Sequence, residues 1–268
     1  MPEVKKFILV TQPRSGSTYL IHKLADALDA QLPGVNHEEI FNPYDKLRNC
    51  KKLGLDASSE MKVVDEFFRK VDFGYIGFKT MPSFHQEWSD VVNRDDVRFI
   101  TLFRGDVLSG LASYVVNEHL FGWLKPSRDQ LAGKKFILEN LYANTERREL
   151  DFVRYIDRWL FEYREINKLN ERADVIPVTT EWLVYPGVSD ERLTEFCGKR
   201  ITFDDFNAPT HYTECFEDHE FFKQVVIDLF KELTEHQTSI PPQILDLHPD
   251  FGRQHGDATQ NASTVTPG

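Results

Sequence analysis

An arginine, a glycine and three hydroxyl side chains stand close together in the segment TQPRSGSTYL, residues 11–20. An apolar run, Phe7–Val10, precedes the segment, and apolar residues with helical spacing follow it. A strand, a tight turn and a helix start can hold an anion, because the first N–H groups of a helix have no internal partner. Gly16 lets the backbone curl around an oxyanion, and Arg14 adds a forked, permanently charged donor. The segment therefore predicts an anion-binding loop, to which three hydroxyls contribute: Ser15, Ser17 and Thr18.

The predicted anion loop departs from the ATP-type P-loop pattern, GxxxxGK[ST]. Ser17 stands where that pattern has its lysine, and no glycine lies five residues before Gly16. An ordinary strand-to-helix turn with an N-cap residue is the alternative interpretation of this segment taken alone.

Two segments of the chain resemble the motifs of one enzyme family. The stretch PRSGSTYL, residues 13–20, resembles the 5′-phosphosulfate loop of sulfotransferases, which use 3′-phosphoadenosine-5′-phosphosulfate (PAPS). The stretch RFITLFRGDVLSGLASY, residues 98–114, resembles the family's 3′-phosphate motif, and Arg104 and Ser113 fall on its two binding positions. Their spacing is one residue longer than is usual in the cytosolic branch and is similar to that of the bacterial trehalose-sulfotransferase branch.

The resemblance implies a sulfotransferase fold with a P-loop-like turn and a nucleotide-binding site. Arg104 at the end of a strand and Ser113 on the next helix would then grip one phosphate between them. A helix-capping Asp106 beside a solvated arginine is the alternative for this second motif.

Weaker matches to the same family lie elsewhere in the chain. The stretch HEEIFNP, residues 37–43, resembles a segment near the family's acceptor site, and TTEWLVYPGVSDERLTEFCGKRITF, residues 179–203, resembles a late segment that marks the fold. The stretch IGFKTMP, residues 76–82, resembles a strand that ends in Lys-Thr, which implies that Lys79 faces the transferred sulfuryl group. Arg253 is similar to a late arginine near the 3′-phosphate, although the tryptophan expected after it is absent.

Sulfuryl transfer is an in-line displacement at sulfur, for which phosphoryl transfer is the nearest analogue. Negative charge grows on the sulfuryl oxygens and on the leaving phosphate oxygen, where fixed cationic donors stabilise it most. Arg14 and Lys79 are the predicted catalytic cations. The resemblance implies no metal, because the family neutralises this charge with side chains.

The acceptor must lose a proton, which a histidine or a carboxylate can take. Glu39 matches a family carboxylate and is the leading candidate for this base. The loop alignment can slip by a few residues, in which case His37 or Glu38 would serve instead. His85, which follows Lys79 closely as the base histidine does in the cytosolic branch, is a further candidate.

Short apolar runs that alternate with helical patterns predict an α/β fold, with a mainly parallel sheet and helices on both faces. Further helices are predicted around residues 147–170, 190–196 and 221–233. We expect one domain over residues 1–253 and a disordered tail over residues 254–268, which are small and polar. The predicted strands are four runs: 7–10, 75–78, 99–103 and 175–178.

The amino-acid composition limits the classes of partner that the protein is expected to bind. The 268 residues carry a net charge of −11, which argues against a protein that coats nucleic acid or anionic membranes. Three widely spaced cysteines disfavour a disulfide framework, and neither a signal peptide nor an apolar stretch long enough to cross a membrane is evident. We expect a cytoplasmic enzyme with a small-molecule acceptor. An atypical P-loop kinase and a non-catalytic nucleotide-binding module are the alternatives.

Overall fold

The chain divides into two compact units, Met1–Phe103 with Arg158–Ala208 and Arg104–Asp157 with Pro209–Gly268. The sheet and the loops discussed below belong to the first unit, whereas Arg104 and Ser113 belong to the second. Single-domain organisation over residues 1–253 stays a prediction, and the predicted disordered tail lies outside the described residues. The computed structural model describes these ranges: 4–104, 110, 113, 158–159, 161–184 and 191–203.

Four parallel strands form the sheet, in the spatial order β2-β1-β3-β4. This arrangement confirms the predicted α/β fold and its parallel sheet. All four apolar runs predicted as strands are strands, and each extends by a few residues or shifts slightly at its ends. The strands are β1 (Val4–Thr11), β2 (Gly74–Thr80), β3 (Val97–Phe103) and β4 (Ile176–Thr179).

The first strand is central, with β2 on one side and β3 on the other. The chain therefore leaves β1 in one direction and later returns to its opposite side, which creates a topological switch point at its carboxyl end. The register pairs Val10 with Thr80 and Thr11 with Leu102, so β1, β2 and β3 end at nearly the same level. The predicted anion loop and Lys79 consequently meet at this edge of the sheet.

Helices follow the strands as predicted. Both the helix after the first strand and the one near residues 190–196 are confirmed; the predicted helix at 147–170 is helical over the described stretch 161–170, and 221–233 lies outside the described residues. Short 3₁₀ helices span Asn36–Glu38 and Pro82–Phe84. The α-helices are α1 (Ser17–Leu28), α2 (Lys46–Leu53), α3 (Glu60–Phe68), α4 (Trp88–Val92), α5 (161–170), α6 (Thr180–Val184) and α7 (Glu191–Cys197).

Alternate residues of β1 enter two separate apolar clusters, because successive side chains of a strand point to opposite faces. Ile8 and Val10 pack with residues of α3, α4 and α5 on one face. Phe7 and Leu9 pack with residues of α1, α6 and α7 on the other. Helices thus cover both faces of the sheet, as predicted. Within the described ranges, no helix is long and apolar enough to cross a membrane.

Candidate anion-binding and active site

The loop after β1 is tied down by hydrogen bonds among its own residues. The Ser15 hydroxyl donates to the Gln12 carbonyl oxygen at 2.8 Å and lies 2.6 Å from Thr11 Oγ1. The Thr180 hydroxyl, at the start of α6, donates to the Ser15 carbonyl oxygen at 2.8 Å. The buried Ser15 side chain therefore holds the loop in shape, whereas sequence analysis expected its hydroxyl to face the anion.

Two residues of the loop have left-handed backbone conformations. Gly16 has a φ of 83° at the N-cap position of α1, which is a conformation that glycine adopts without a Cβ clash. Arg14 has a φ of 61°, which costs a non-glycine residue about 1–3 kcal/mol. Strain of this kind persists where the surrounding structure imposes it, and it is common in ligand-binding loops.

Lys79 lies at the end of β2 and points into the first turn of α1. Its side chain is only 3% exposed, and its Nζ donates to Thr18 Oγ1 at 2.8 Å and to Ser17 Oγ at 3.3 Å. Nζ is also 3.1 Å from Glu39 Oε1. Burial lowers the pKa of Lys79, while the ion pair with Glu39 opposes this shift. The structure thus brings a cation, two hydroxyls and a carboxylate, all predicted site residues, to one point.

Glu39 reaches Lys79 from a strained turn. The three residues before it have positive φ angles, 40° at Asn36, 55° at His37 and 70° at Glu38. Left-handed conformation is unfavourable for residues other than glycine, and three in succession are rare. The buried Glu38 carboxylate supports the turn by accepting the Gly34 N–H at 2.6 Å. Glu38, the alternative base, is thereby engaged with the backbone.

Two asparagines fix Glu39 from behind. Asn42 Nδ2 donates to Glu39 Oε2 at 3.1 Å, so each oxygen of the carboxylate has a partner of its own. The buried Asn49, on α2, donates to the Glu39 carbonyl oxygen at 3.0 Å. Neither role was predicted from the sequence. Asn42 was visible only as part of an Asn-Pro pair, and a backbone-directed bond such as that of Asn49 leaves no mark in a sequence.

The two histidine candidates for the base lie in different surroundings. His37 is exposed on the strained turn. The His85 side chain is fully buried, and both of its ring nitrogens are engaged: Nε2 lies 2.7 Å from Thr80 Oγ1, and Nδ1 lies 3.2 Å from Glu60 Oε2. Burial lowers the pKa of His85, and the nearby Glu60 opposes this shift only in part. This geometry favours Glu39 over His85 as the base.

A buried polar cluster underlies the end of β2. Glu60 lies 2.9 Å from Lys46 Nζ and accepts the backbone N–H groups of Gln86 and Glu87. Burial disfavours the charged carboxylate, but the hydrogen bonds from His85, Lys46 and the backbone outweigh it and hold the Glu60 pKa at about 2. Because His85 links this cluster to Thr80, the cluster fixes the residue next to Lys79.

Arg104 and Ser113, the two binding positions of the second predicted motif, both belong to the second unit. Arg104 directly follows β3 and is buried, and Ser113 is buried in a helical conformation. A Cβ added to Gly110 would lie 3.8 Å from Arg104 Cδ, so the arginine stem passes beside this helical residue. The strand, the arginine and the helical serine therefore have the predicted local structures. Arg253, the remaining predicted cofactor residue, lies outside the described residues.

Glu162 is a buried carboxylate that sequence analysis did not identify. It is on α5, is 0% exposed, and accepts hydrogen bonds from the Ser83 hydroxyl and the Ser83 N–H. Arg158 Nε lies 3.6 Å from Oε1, and Oε2 has no hydrogen-bond partner among the described residues. Burial raises the pKa of Glu162 from 4.5 to about 7, against the influence of Ser83 and Arg158.

The raised pKa of Glu162 should make the free energy of unfolding depend on pH. Because the folded state holds this proton more tightly than the unfolded state, stability falls as pH rises from about 4.5 to about 7. In the wild type, the free energy of unfolding should fall by about 3 kcal/mol between pH 4.5 and 8 because of Glu162 alone. Glu162→Gln has no proton to lose at this position, so its free energy of unfolding should not show this fall. Urea unfolding at both pH values measures it, with Glu165→Gln on the same helix as the control. An equal pH dependence in wild type and Glu162→Gln would contradict this assignment.

The sequence matches no protein-family model and no curated protein. Among the described residues, no group of three His, Cys, Asp or Glu side chains is arranged to hold a metal ion.

Proposed function

We propose that this protein is a sulfotransferase that moves a sulfuryl group from PAPS to a hydroxyl or amine of a small molecule. The observation that carries the proposal is the position of Lys79, whose ammonium lies between the hydroxyls at the start of α1 and the Glu39 carboxylate. A cation between an anion loop and a base is what in-line transfer from an anionic donor to a neutral acceptor requires.

The donor side of the reaction is supplied by the loop and by Lys79. The loop N–H groups, Arg14 and the Thr18 hydroxyl would hold the 5′-phosphosulfate, as the P-loop-like turn of a sulfotransferase fold does. Lys79 would stabilise the charge that grows on the sulfuryl oxygens and on the leaving phosphate oxygen. Arg104 and Ser113 would hold the 3′-phosphate, which takes no part in the reaction.

The acceptor side is supplied by Glu39. Glu39 is only 8% exposed, is fixed by Asn42 and stands opposite the anion loop across Lys79. A hydroxyl or amine that approaches the sulfur from this side can give its proton to Glu39 as the new bond forms. The preceding strained turn, Asn36–Glu38, holds this geometry.

The alternatives differ in specific features. A kinase with a GxxxxGK[ST] P-loop would carry its lysine directly after the loop glycine and would use a bound divalent cation. Here Ser17 follows the loop glycine, and the lysine comes from β2 instead. A non-catalytic nucleotide-binding module would need the anion loop but would have no use for a buried carboxylate beside its lysine.

Incubation with PAPS and a panel of small alcohols, sugars and amines tests the function. Mass spectrometry should show a product that has gained one sulfuryl group, and activity should survive EDTA. Lys79→Met is the inactive control. Phosphorylation from ATP that depends on Mg²⁺ would identify a kinase, and tight nucleotide binding without any product would identify a binding module.

A further inference from the structure

All three N–H groups of the Lys79 ammonium have acceptors in the structure. A lysine ammonium has three donors and no acceptor. Thr18 Oγ1 lies at 2.8 Å, Glu39 Oε1 at 3.1 Å and Ser17 Oγ at 3.3 Å from Nζ. An anion that binds the loop through Lys79 must therefore replace one of these three acceptors.

Of the three acceptors around Lys79, Glu39 is the one that the anion must replace. Ser17 and Thr18 are neutral hydroxyls at the start of α1, and a hydroxyl can rotate to donate to an arriving anion while it still accepts from lysine. Glu39 carries a negative charge and can only accept, so it both repels the anion and competes with it for the same N–H group. The Glu39 carboxylate therefore occupies the position beside Lys79 that the anionic group of the donor needs.

Asn42 can hold the Glu39 carboxylate in place after its ion pair with Lys79 has broken. Its Nδ2 donates to Glu39 Oε2, the oxygen that does not contact Lys79, and its Oδ1 accepts the Tyr44 N–H at 3.2 Å. Asn49 holds the Glu39 carbonyl oxygen independently. The carboxylate would therefore stay in the site, with Oε1 freed to accept a proton.

We propose that Glu39 and the donor compete for Lys79, so that donor binding releases Glu39 to act as the base, and that Asn42 is the positioning residue that keeps the released carboxylate in the site. The identity of the anion as the phosphosulfate of PAPS rests on the proposed function. The competition itself requires only that an oxyanion enters the loop.

The released Glu39 completes the reaction in a balanced way. The acceptor's oxygen or nitrogen forms a bond to sulfur, and its proton passes to Glu39 Oε1. The bond between sulfur and the bridging oxygen breaks, and adenosine 3′,5′-bisphosphate leaves with the electron pair. Glu39 then returns the proton to solvent. Before the donor arrives, Oε1 is engaged by Lys79, so the acceptor is not deprotonated prematurely.

Inorganic sulfate tests the competition without any turnover. Titration calorimetry at pH 6 should show that Glu39→Gln binds sulfate about tenfold more tightly than the wild type, since the competing charge is gone. The low pH matters because burial already lowers the pKa of Lys79, and the variant lacks the Glu39 charge that opposes this shift. Glu66→Gln, which removes the same charge from α3, should bind sulfate like the wild type. Equal or weaker binding by a folded Glu39→Gln would overturn the proposal.

Asn42→Asp tests the positioning role. The aspartate keeps the oxygen that accepts the Tyr44 N–H, but it replaces the donor to Glu39 by a second negative charge. Releasing Glu39 should then be harder, and sulfate affinity should fall about fivefold. In the Glu39→Gln background this fall should largely disappear, because the neutral side chain is not released against a charge. An equal fall in both backgrounds would show general repulsion and overturn the role of Asn42.

Turnover with PAPS separates the two proposals. If the sulfate titrations give the expected results but no acceptor yields a sulfated product, the competition for Lys79 is supported and the sulfotransferase assignment is wrong. If the wild type forms a sulfated product but Glu39→Gln binds sulfate no more tightly than the wild type, the sulfotransferase assignment is supported and the competition for Lys79 is wrong.

Discussion

Glu39→Gln should lower the turnover number by about 10²–10⁴-fold, the usual contribution of a positioned general base. Glutamine preserves the shape of the side chain and can still accept from Lys79, but it cannot take a proton from the acceptor. The carboxylate accepts from Lys79 at 3.1 Å through Oε1 and from Asn42 at 3.1 Å through Oε2, and the glutamine amide can replace only one of these two acceptors. Steady-state kinetics with saturating PAPS and acceptor would measure the loss.

Controls separate the loss of a base from a loss of structure. Breaking a buried ion pair by removing one partner costs about 3–5 kcal/mol of stability, so the unfolding of Glu39→Gln must be measured alongside its activity. Glu66→Gln should retain wild-type turnover. Full activity in Glu39→Gln, with collapse in His37→Ala or His85→Ala, would move the base to a histidine and leave the sulfotransferase proposal standing.

Lys79→Met and Arg104→Ala should affect different kinetic constants. Lys79 would meet charge that appears only during transfer, so its loss should reduce turnover by about 10²–10³-fold, as the loss of one oxyanion donor does. Arg104 would hold a phosphate that is the same in the ground and transition states, so its loss should mainly raise the KM for PAPS. Steady-state kinetics on both variants makes the comparison. The reverse pattern would mean that the two roles are exchanged.

Sequence patterns were sufficient for the sheet because its strands are buried on both faces. Runs such as Phe7–Val10 must be continuously apolar when two clusters of helices cover them, and this leaves a clear mark in the sequence. The tight turn after β1 was equally visible, because Gly16 needs a left-handed conformation that few other residues accept. The ends of the strands, which depend on pairing with neighbours, were less well predicted.

The side-chain contacts within the site could not be predicted from the sequence. Glu39 and Lys79 lie forty residues apart, and motif resemblance placed each near the reaction without showing that they form an ion pair. No pattern in the sequence shows that Thr80 and Glu60 engage both ring nitrogens of His85, which stays a candidate base. Glu162 gave no signal at all, since a carboxylate on a helix is normally exposed and only tertiary packing buries this one.

Binding of adenosine 3′,5′-bisphosphate, the product that PAPS leaves behind, tests the central assignment most directly. It carries both phosphates that the two motifs are proposed to hold, and it requires neither an acceptor nor turnover. At a hundredfold excess over its dissociation constant it should raise the free energy of unfolding by about 2.7 kcal/mol. ATP at the same concentration should give a much smaller shift in thermal or urea unfolding, and EDTA should change neither result. An equal shift from ATP, or no shift from either nucleotide, would contradict the account.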